Sequence, residues 1–327
     1  TDDDADIKSI ASDGLLYIKD KRGSLTRMLE VTPANNGQLQ RIYYLNGEKK
    51  VFDQEAQQWL ARILPQLIRD SAIGASARVA RIHKQKGAEG VLAEISLITS
   101  DGAKGIYFRE LFAVGNLDNT LLQRVLRQIG RDIASDGEKG RLLIEHMSLF
   151  LNNEAVTGEL FSTIDTIASD GERERILVEL IGQVKLSKDN LKRAIKSTAK
   201  IASDGSKERV LIRTIGQNSN DDVIVGHILQ TVESIASDGS KERVLVSLLQ
   251  QSNLSRDSLV NTIRTAQEIA SDGSKERVLI KATEVATADE TVAAAVLDVA
   301  KTIASDSSRG RVLSALLQKG MLPHKRS

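Results

Sequence analysis

The stretch Ser203-Asp204-Gly205-Ser206-Lys207-Glu208-Arg209-Val210-Leu211 decides the fold, because it occurs three times without change. The other two copies begin at Ser237 and Ser271, and looser copies begin at Ser100, Ser135, Ser169 and Ser305. The starts are 35, 34, 34, 34, 34 and 34 residues apart. A fixed period of this length is typical of solenoid proteins, in which neighbouring repeats bury one another. We number the positions of this motif from its serine.

Each repeat predicts a helical hairpin. Ser203 is a candidate N-cap for a first helix, helix A, that runs to about Ile215. Gly216 and residues 218–220 predict the turn, and apolar residues from Ile224 to Ile235 recur at helical spacing in a second helix, helix B. Helix A carries a capping-box pattern, Ser-x-x-Glu, in two repeats, at Ser135 with Glu138 and at Ser169 with Glu172. Ser187, Ser255 and Thr287 are candidate starts of helix B.

The chain divides into three segments by pattern. Residues 1–52 predict a small antiparallel β module, with turns at Asn35-Asn36-Gly37 and at Asn46-Gly47. Residues 53–71 predict a linking helix with Asp53 as N-cap and a kink or break at Pro65. Residues 72–327 predict an α-solenoid of about eight HEAT-like repeats, which start near residues 72, 100, 135, 169, 203, 237, 271 and 305. The single tryptophan, Trp59, fits a core that joins the sheet to the repeats.

The repeated charges favour a structural ladder over a catalytic row, because catalysis needs one differentiated constellation and not seven copies. In the ladder, each arginine would bind an aspartate or a helix-end carbonyl of its own or the adjacent repeat. The glycine at the third position would permit a tight corner. The aspartates of the second position are Asp101, Asp136, Asp170, Asp204, Asp238, Asp272 and Asp306, and the arginines of the seventh position are Arg141, Arg175, Arg209, Arg243, Arg277 and Arg311.

A second row of charges occupies the fifth position of the motif. Its members are Lys104, Lys139, Arg173, Lys207, Lys241, Lys275 and Arg309. Glutamate follows four of them, so mixed charges favour a solvated edge, and a track for a polyanion is the alternative. The net charge of +1 and the 3% of aromatic residues argue against nucleic acid as a partner.

No pattern of residues predicts an enzyme, a metal site or a cofactor. The chain has no cysteine, and its histidines, His83, His146, His227 and His324, lie at unrelated positions of the repeat. We find no glycine-rich phosphate loop and no nucleophile elbow. No apolar run reaches the roughly 20 residues that span a bilayer. The chain begins with Thr1 and three aspartates, which favours a processed, exported protein in the periplasm or outside the cell; the cytoplasm stays open.

Some stretches resemble a family of bacterial envelope proteins that have no established activity. They are Trp59-Leu60-Ala61-Arg62-Ile63-Leu64-Pro65, Ile73-Gly74-Ala75, Arg78-Val79-Ala80-Arg81-Ile82, Val91-Leu92-Ala93-Glu94-Ile95 and Ile98-Thr99-Ser100-Asp101. The resemblance implies a small β module followed by helical repeats with a Ser-Asp-Tyr or Ser-Asp-Gly corner. Similar repeats are appended to some antibiotic-sensor-type membrane metallopeptidases, but the peptidase zinc motif does not occur here.

Together these observations predict a non-enzymatic scaffold that binds a protein or peptide partner on an α-solenoid surface in the cell envelope. Candidate partner contacts are the aromatic residues outside the repeat pattern, for which core packing is the alternative: Tyr107, Phe108, Phe112, Phe150 and Phe161. The irregular turns at residues 186–189 and 217–222 are further candidates. A second hypothesis is a filament or surface array that assembles head to tail through open solenoid ends.

Overall fold

The computed structural model describes residues 4–34, 37–115, 117–183, 186–218, 220–286 and 289–320. The chain forms two compact units, Thr1–Asn116 and Leu117–Ser327. This division falls inside the repeat that begins at Ser100, whereas the sequence places boundaries after residues 52 and 71. Those sequence boundaries stay predictions, and each compact unit is described by itself.

The N-terminal unit opens with an antiparallel sheet whose strands lie in sequence order. The strands are β1 (Leu16–Arg22), β2 (Leu25–Pro33), β3 (Leu39–Leu45) and β4 (Glu48–Lys50), and the helices are α1 (Gln54–Ser71), α2 (Ala75–Ile95) and α3 (Asp101–Val114). The predicted β module is confirmed. Asn46 and Gly47 have φ of 51° and 86°, so the β3–β4 hairpin turn forms where the sequence predicts it. The turn through Asn35 and Asn36 lies outside the described residues.

The core of this unit lies between the sheet and α1. Buried residues of the three longer strands and of α1 form one cluster, which consists of Ile18, Leu29, Val31, Tyr43, Ala56, Trp59, Leu60, Ile63 and Leu64. The Trp59 indole Nε1 donates to the Asp20 carboxylate at 3.0 Å, and its ring centroid lies 5.7 Å from that of Tyr43. This hydrogen bond is the main reason why the pKa of Asp20 lies below its usual range. Trp59 is therefore a core residue that faces the sheet.

Helix α1 continues through its proline. Asp53 caps the helix, as predicted, by accepting a hydrogen bond from the Ala56 amide at 3.0 Å. Of the predicted kink or break at Pro65, the break does not occur: α1 stays helical to Ser71, since apolar residues on both sides of the proline, such as Leu64 and Ile68, pack on the same core. The first degenerate repeat is short because α2 leaves helical geometry at a single glycine, Gly87, with φ of 66°.

The second unit is a two-layer stack of helical hairpins, which confirms the predicted α-solenoid fold. Its A helices are α5 (Asp136–Glu145), α8 (Asp170–Gln183), α10 (Asp204–Asn218), α12 (Asp238–Leu249), α14 (Asp272–Val285) and α16 (Asp306–Gln318). Its B helices are α4 (Asn119–Asp132), α7 (Glu154–Ile164), α9 (Lys188–Ala199), α11 (Asp222–Glu233), α13 (Arg256–Thr265) and α15 (Glu290–Ala300), and a short α6 (Met147–Phe150) precedes α7. From α5 and α7 onward, each A helix packs on the A helices beside it, and each B helix packs on B helices.

Two helix boundaries differ from the sequence prediction. Helix α10 includes Gly216 and ends at Asn218, so the predicted turn begins later than expected. Helix α15 is capped by Asp289, which accepts hydrogen bonds from the amides of Thr291 and Val292. The predicted cap Thr287 lies outside the described residues. Ser187 and Ser255 cap α9 and α13 as predicted.

The predicted capping box at Ser169 forms only in part. The Ser169 hydroxyl accepts from the Glu172 amide at 3.3 Å, which is one half of the box. The Glu172 carboxylate instead binds Arg175 at 2.6 Å, and the Ser169 amide donates to Asp136 at 2.8 Å. The reciprocal half is lost because an aspartate of the preceding repeat already occupies the amide.

The glycine at the third position of the motif does not serve a tight corner, so that prediction is wrong. A Cβ on Gly239 would have Arg243 Nη1 as its nearest neighbour, at 3.4 Å, and a Cβ on Gly171 would meet no atom within 4 Å. Neither residue has a positive φ. The position therefore has room for a side chain.

We predict that Gly239→Ala raises the free energy of unfolding by about 0.5–1 kcal/mol, because alanine restricts the unfolded chain and fits the first turn of α12. The matched control Gly87→Ala should instead lower it by about 1 kcal/mol or more, since φ at Gly87 is 66°. Urea unfolding at 25 °C measures both. A loss of stability in Gly239→Ala would contradict the open space seen beside this glycine.

Candidate functional site: the repeat corners and the A-helix face

The aspartates of five corners bind the start of the next helix A. Asp204 Oδ2 accepts hydrogen bonds from the amides of Ala236 at 3.1 Å and Ser237 at 2.7 Å. The same pair of bonds is made by Asp136, Asp170, Asp238 and Asp272. The predicted pairing of aspartate with arginine is wrong, because the amides at a helix N-terminus lack partners of their own and attract an anion.

In the N-terminal unit, Asp70 makes the equivalent contact. It lies at the end of α1 and accepts from the amides of Thr99 at 2.7 Å and Ser100 at 3.3 Å. Burial alone would raise the pKa of Asp70, but hydrogen bonds from Gln66, Thr99 and Ser100 lower it. Sequence reasoning missed Asp70, because it lies outside the motif and ahead of a repeat that is shorter than the others.

In four corners the arginine binds a glutamate of the preceding repeat. Arg243 Nε and Nη2 donate to the two oxygens of Glu208 at 2.6 and 2.7 Å, which is a bidentate ion pair. The same arrangement joins Arg209 to Glu174, Arg277 to Glu242 and Arg311 to Glu276. In each pair the arginine hydrogen bond is the largest cause of the lowered pKa of the glutamate.

Two arginines of the motif bind glutamates of their own helix instead. The sixth position of the repeat at Ser135 is Gly140, so Arg175 turns to Glu172 at 2.6 Å. A Cβ on Gly140 would lie 2.5 Å from the Glu172 carboxylate, so this pair fills the space beside the glycine. Arg141 pairs in the same way with Glu138 at 2.9 Å.

The basic residues of the fifth position are largely buried, so the predicted solvated edge is wrong. Lys207 and Lys241 are 6% and 8% exposed. Their ammonium groups donate to carbonyls just beyond the C-terminal end of helix B of the same repeat, from Lys207 to Ser234 at 2.7 Å and from Lys241 to Glu268 at 2.9 Å. A cation at a helix C-terminus is favourable, and this contact ties the two helices of one hairpin together. Such buried lysines are not available to a polyanion.

The B helices carry a second set of contacts between repeats, at their N-terminal ends. Each joint uses different residue types, which is why the motif did not reveal them. The contacts join Glu154 to Asn190 and Arg193, Lys188 to Asp221, Asp222 to Ser255 and Ser258, and Arg256 to Asp289.

The aromatic residues predicted as partner contacts lie in the core. Tyr107, Phe108 and Phe150 are fully buried, and Phe112 and Phe161 are 8% and 6% exposed. They occupy positions on the packed faces of α3, α6 and α7, where apolar surface is removed from water. Core packing, the alternative interpretation from the sequence, therefore holds for all five aromatic residues.

The exposed side of the A helices presents one pattern in successive repeats, and we call it the A-helix face. It consists of the corner arginines and, three residues after each of the first five, a half-buried aliphatic residue: Ile144, Val178, Ile212, Val246 and Ile280. The side chains of Arg209, Arg243 and Arg277 are 58–61% exposed. Their Nε and Nη2 groups bind glutamate, and over the described ranges no acceptor binds Nη1.

No group of three or more histidine, aspartate or glutamate side chains among the described residues could hold a metal ion. His83 lies on α2, His227 on α11 and His146 in the turn between α5 and α6, and His324 lies outside the described residues. None of the described helices combines the length and the apolar character that a membrane span needs.

Comparison of the chain with protein-family models, with curated proteins and with solved structures gives no match. The resemblance to bacterial envelope proteins therefore stays an expectation.

We predict that Asp204→Ala lowers the free energy of unfolding by about 1–2 kcal/mol, because two amides at the start of α12 lose their acceptor. Asp306→Ala is the matched control: this aspartate has the same motif position but binds Arg309 of its own helix, so the loss should stay below about 0.5 kcal/mol. Urea unfolding compares the two variants. Equal losses would contradict the bridging role of the aspartate.

We also predict that acid weakens the glutamate–arginine pairs. Because folding lowers the pKa of Glu208 and Glu242 from 4.5, the pairs stabilise the protein above about pH 4.5, and this stabilisation is lost as the pH falls through the folded pKa. The double variant Glu208→Gln, Glu242→Gln should lose about 1 kcal/mol at neutral pH, and this difference from the unchanged protein should shrink as the pH falls below about 4.5. Urea unfolding over this pH range tests it, and a difference that does not change with pH would contradict it.

Proposed function

We propose that the protein is a non-enzymatic scaffold whose A-helix face binds an extended segment of a partner protein. The observation that carries the proposal is the repetition of one chemical pattern in successive repeats: an exposed arginine with a vacant Nη1 donor, followed by a half-buried aliphatic side chain. A surface of this kind offers apolar contact and hydrogen-bond donors in alternation.

The spacing of the pattern fits an extended polypeptide. Packed helices lie about 8–10 Å apart, and an extended chain advances about 3.3 Å per residue. Every third residue of an extended partner would therefore meet a new repeat. Apolar side chains at this interval would contact residues such as Val246 and Ile280, and carbonyl or carboxylate oxygens between them would accept from the arginines.

The charged groups of the A-helix face support binding over catalysis. Glu208 and Glu242 are each held by a bidentate arginine, and their environments are nearly the same. A reaction site needs acid and base groups in different environments, and equivalent pairs do not supply that difference. The location in a cell envelope is a further part of this proposal, and it rests on the family resemblance.

Selection from a random peptide display library tests the proposal. Peptides selected on the unchanged protein should carry apolar residues at every third position. They should bind at least ten-fold more weakly to the triple variant Ile212→Ser, Val246→Ser, Ile280→Ser, which removes the aliphatic contacts of three repeats. The matched control changes exposed B-helix residues at the same interval, Lys196→Ser, Gln230→Ser and Arg264→Ser, and should bind as the unchanged protein does. If the selected peptides bind the first triple variant as tightly as the unchanged protein, the A-helix face is not the binding surface.

A second candidate function is head-to-tail assembly into a filament or array. One observation favours it: Leu317 on α16 is 62% exposed, whereas Ile215 and Leu249 at the same position of earlier repeats are 0% and 1% exposed. Sedimentation at rising protein concentration should show a growing mass that Leu317→Ser abolishes. A constant monomer mass up to millimolar concentration would rule out the assembly.

A further inference from the structure

The strand β1 has one edge that no described strand covers. The sheet order places β1 at an edge, where β2 is its only partner among the described residues. Arg22 and Leu25 flank a two-residue turn, and such a flanking pair exchanges its hydrogen bonds inside the hairpin. Successive residues of a strand point their backbone groups in opposite directions, so the N–H and C=O of Lys21, Lys19 and Tyr17 point away from β2. These groups are available to another strand.

An apolar groove runs beside this free edge, inside the N-terminal unit. Its volume is about 570 Å³, and it lies between β1, residues 6–10 and α1. Three of its lining side chains, Tyr17, Leu67 and Ile73, are 49%, 41% and 65% exposed. Such exposure is unusual for apolar side chains that lie together, and it marks a surface that a partner covers.

The charges on β1 limit which partner can pair with it. Lys19 and Lys21 are both exposed on the strand. A second copy of β1 in antiparallel pairing would place lysines opposite lysines, which is unfavourable. Asp6, the acidic residue that lines the groove, is already bound to Arg41 at 3.0 Å. The edge therefore favours a strand with acidic residues opposite the two lysines.

We propose that the free edge of β1 and the adjoining groove bind an extended peptide segment of a partner protein, in which apolar residues alternate with acidic ones. The peptide adds a fifth strand to the sheet through its backbone. Side chains on one face of the peptide enter the groove beside Leu67 and Ile73, and those on the other face meet Lys19 and Lys21. This site lies wholly in the N-terminal unit and is separate from the A-helix face.

The test uses the full chain and three synthetic seven-residue peptides, which match the seven residues of β1. One alternates glutamate with valine, one alternates lysine with valine, and one has the composition of the first in two blocks. Titration calorimetry should show at least ten-fold tighter binding of the alternating glutamate peptide than of the other two. Hydrogen exchange should show new protection at the amides of Tyr17, Lys19 and Lys21 when that peptide is bound.

Single variants separate the contributions of backbone, charge and groove. Lys19→Pro removes an outward N–H without touching the bonds to β2, and it should weaken binding at least ten-fold. Lys19→Glu with Lys21→Glu should reverse the preference, so that the lysine peptide binds better. Ile73→Ser should weaken binding, whereas Val51→Ser, an 80% exposed residue outside the groove, should not.

The possible outcomes distinguish the occupants. Binding that Ile73→Ser weakens and Lys19→Pro leaves unchanged would mean that the groove takes an apolar group without strand pairing, and it would overturn the proposal. Equal binding of the glutamate and lysine peptides, or no binding of the glutamate peptide at millimolar concentration, would overturn it as well. Because the variants on β1 and on the A helices are different, the outcome is independent of the solenoid function.

Discussion

The structure depends on one interaction, a carboxylate that reaches across a repeat boundary to the two amides just before the next helix. In Asp204 this carboxylate satisfies two N–H groups that the helix itself cannot bind. The serine that opens the next motif satisfies a third N–H group, because the Ser237 hydroxyl accepts a hydrogen bond from the Ser240 amide of the same repeat. Helix starts are therefore fixed by the preceding repeat, and this sets both the register and the separation of successive A helices.

The same logic explains why the motif is so uniform. Glu208 and Arg243 add a second bridge between repeats, and Lys207 ties helix A to helix B inside one repeat. Each of these motif residues makes a different contact of the array. The contacts between B helices follow no such rule, since Lys188 meets Asp221 while Asp222 meets Ser255 and Ser258.

The period, the hairpin, the caps and the β module could be predicted from sequence, because they follow from local patterns. Ser203, Asn46-Gly47 and Asp53 carry local chemistry, and the structure places them as expected. The partners of Asp204 and Arg243 could not be predicted, because they depend on how two repeats are offset. The burial of Lys207 was missed for a related reason: its acceptor lies 27 residues away, at the end of helix B, and only the packed hairpin brings the two together.

The proposed surfaces in the two units use donors that the fold leaves vacant. On the A-helix face these are arginine Nη1 groups, and on β1 they are backbone groups of an edge strand. In both places apolar side chains lie close to the donors, as Val246 follows Arg243 and Leu67 lines the groove beside β1. A polypeptide satisfies this combination well, because it presents a carbonyl and a side chain at every residue.

Gly140 divides the array of repeats into two parts that differ in how strongly neighbouring A helices are joined. From Glu174 onward, every joint between A helices has a bidentate ion pair, but the joint before it has none, because Arg175 turns back to Glu172. In a linear array, unfolding spreads until it meets a weak interface. A pulling force or a denaturant should therefore unfold the repeats as two groups that separate at this joint. The repeats linked by the four ion pairs should unfold together as one cooperative unit.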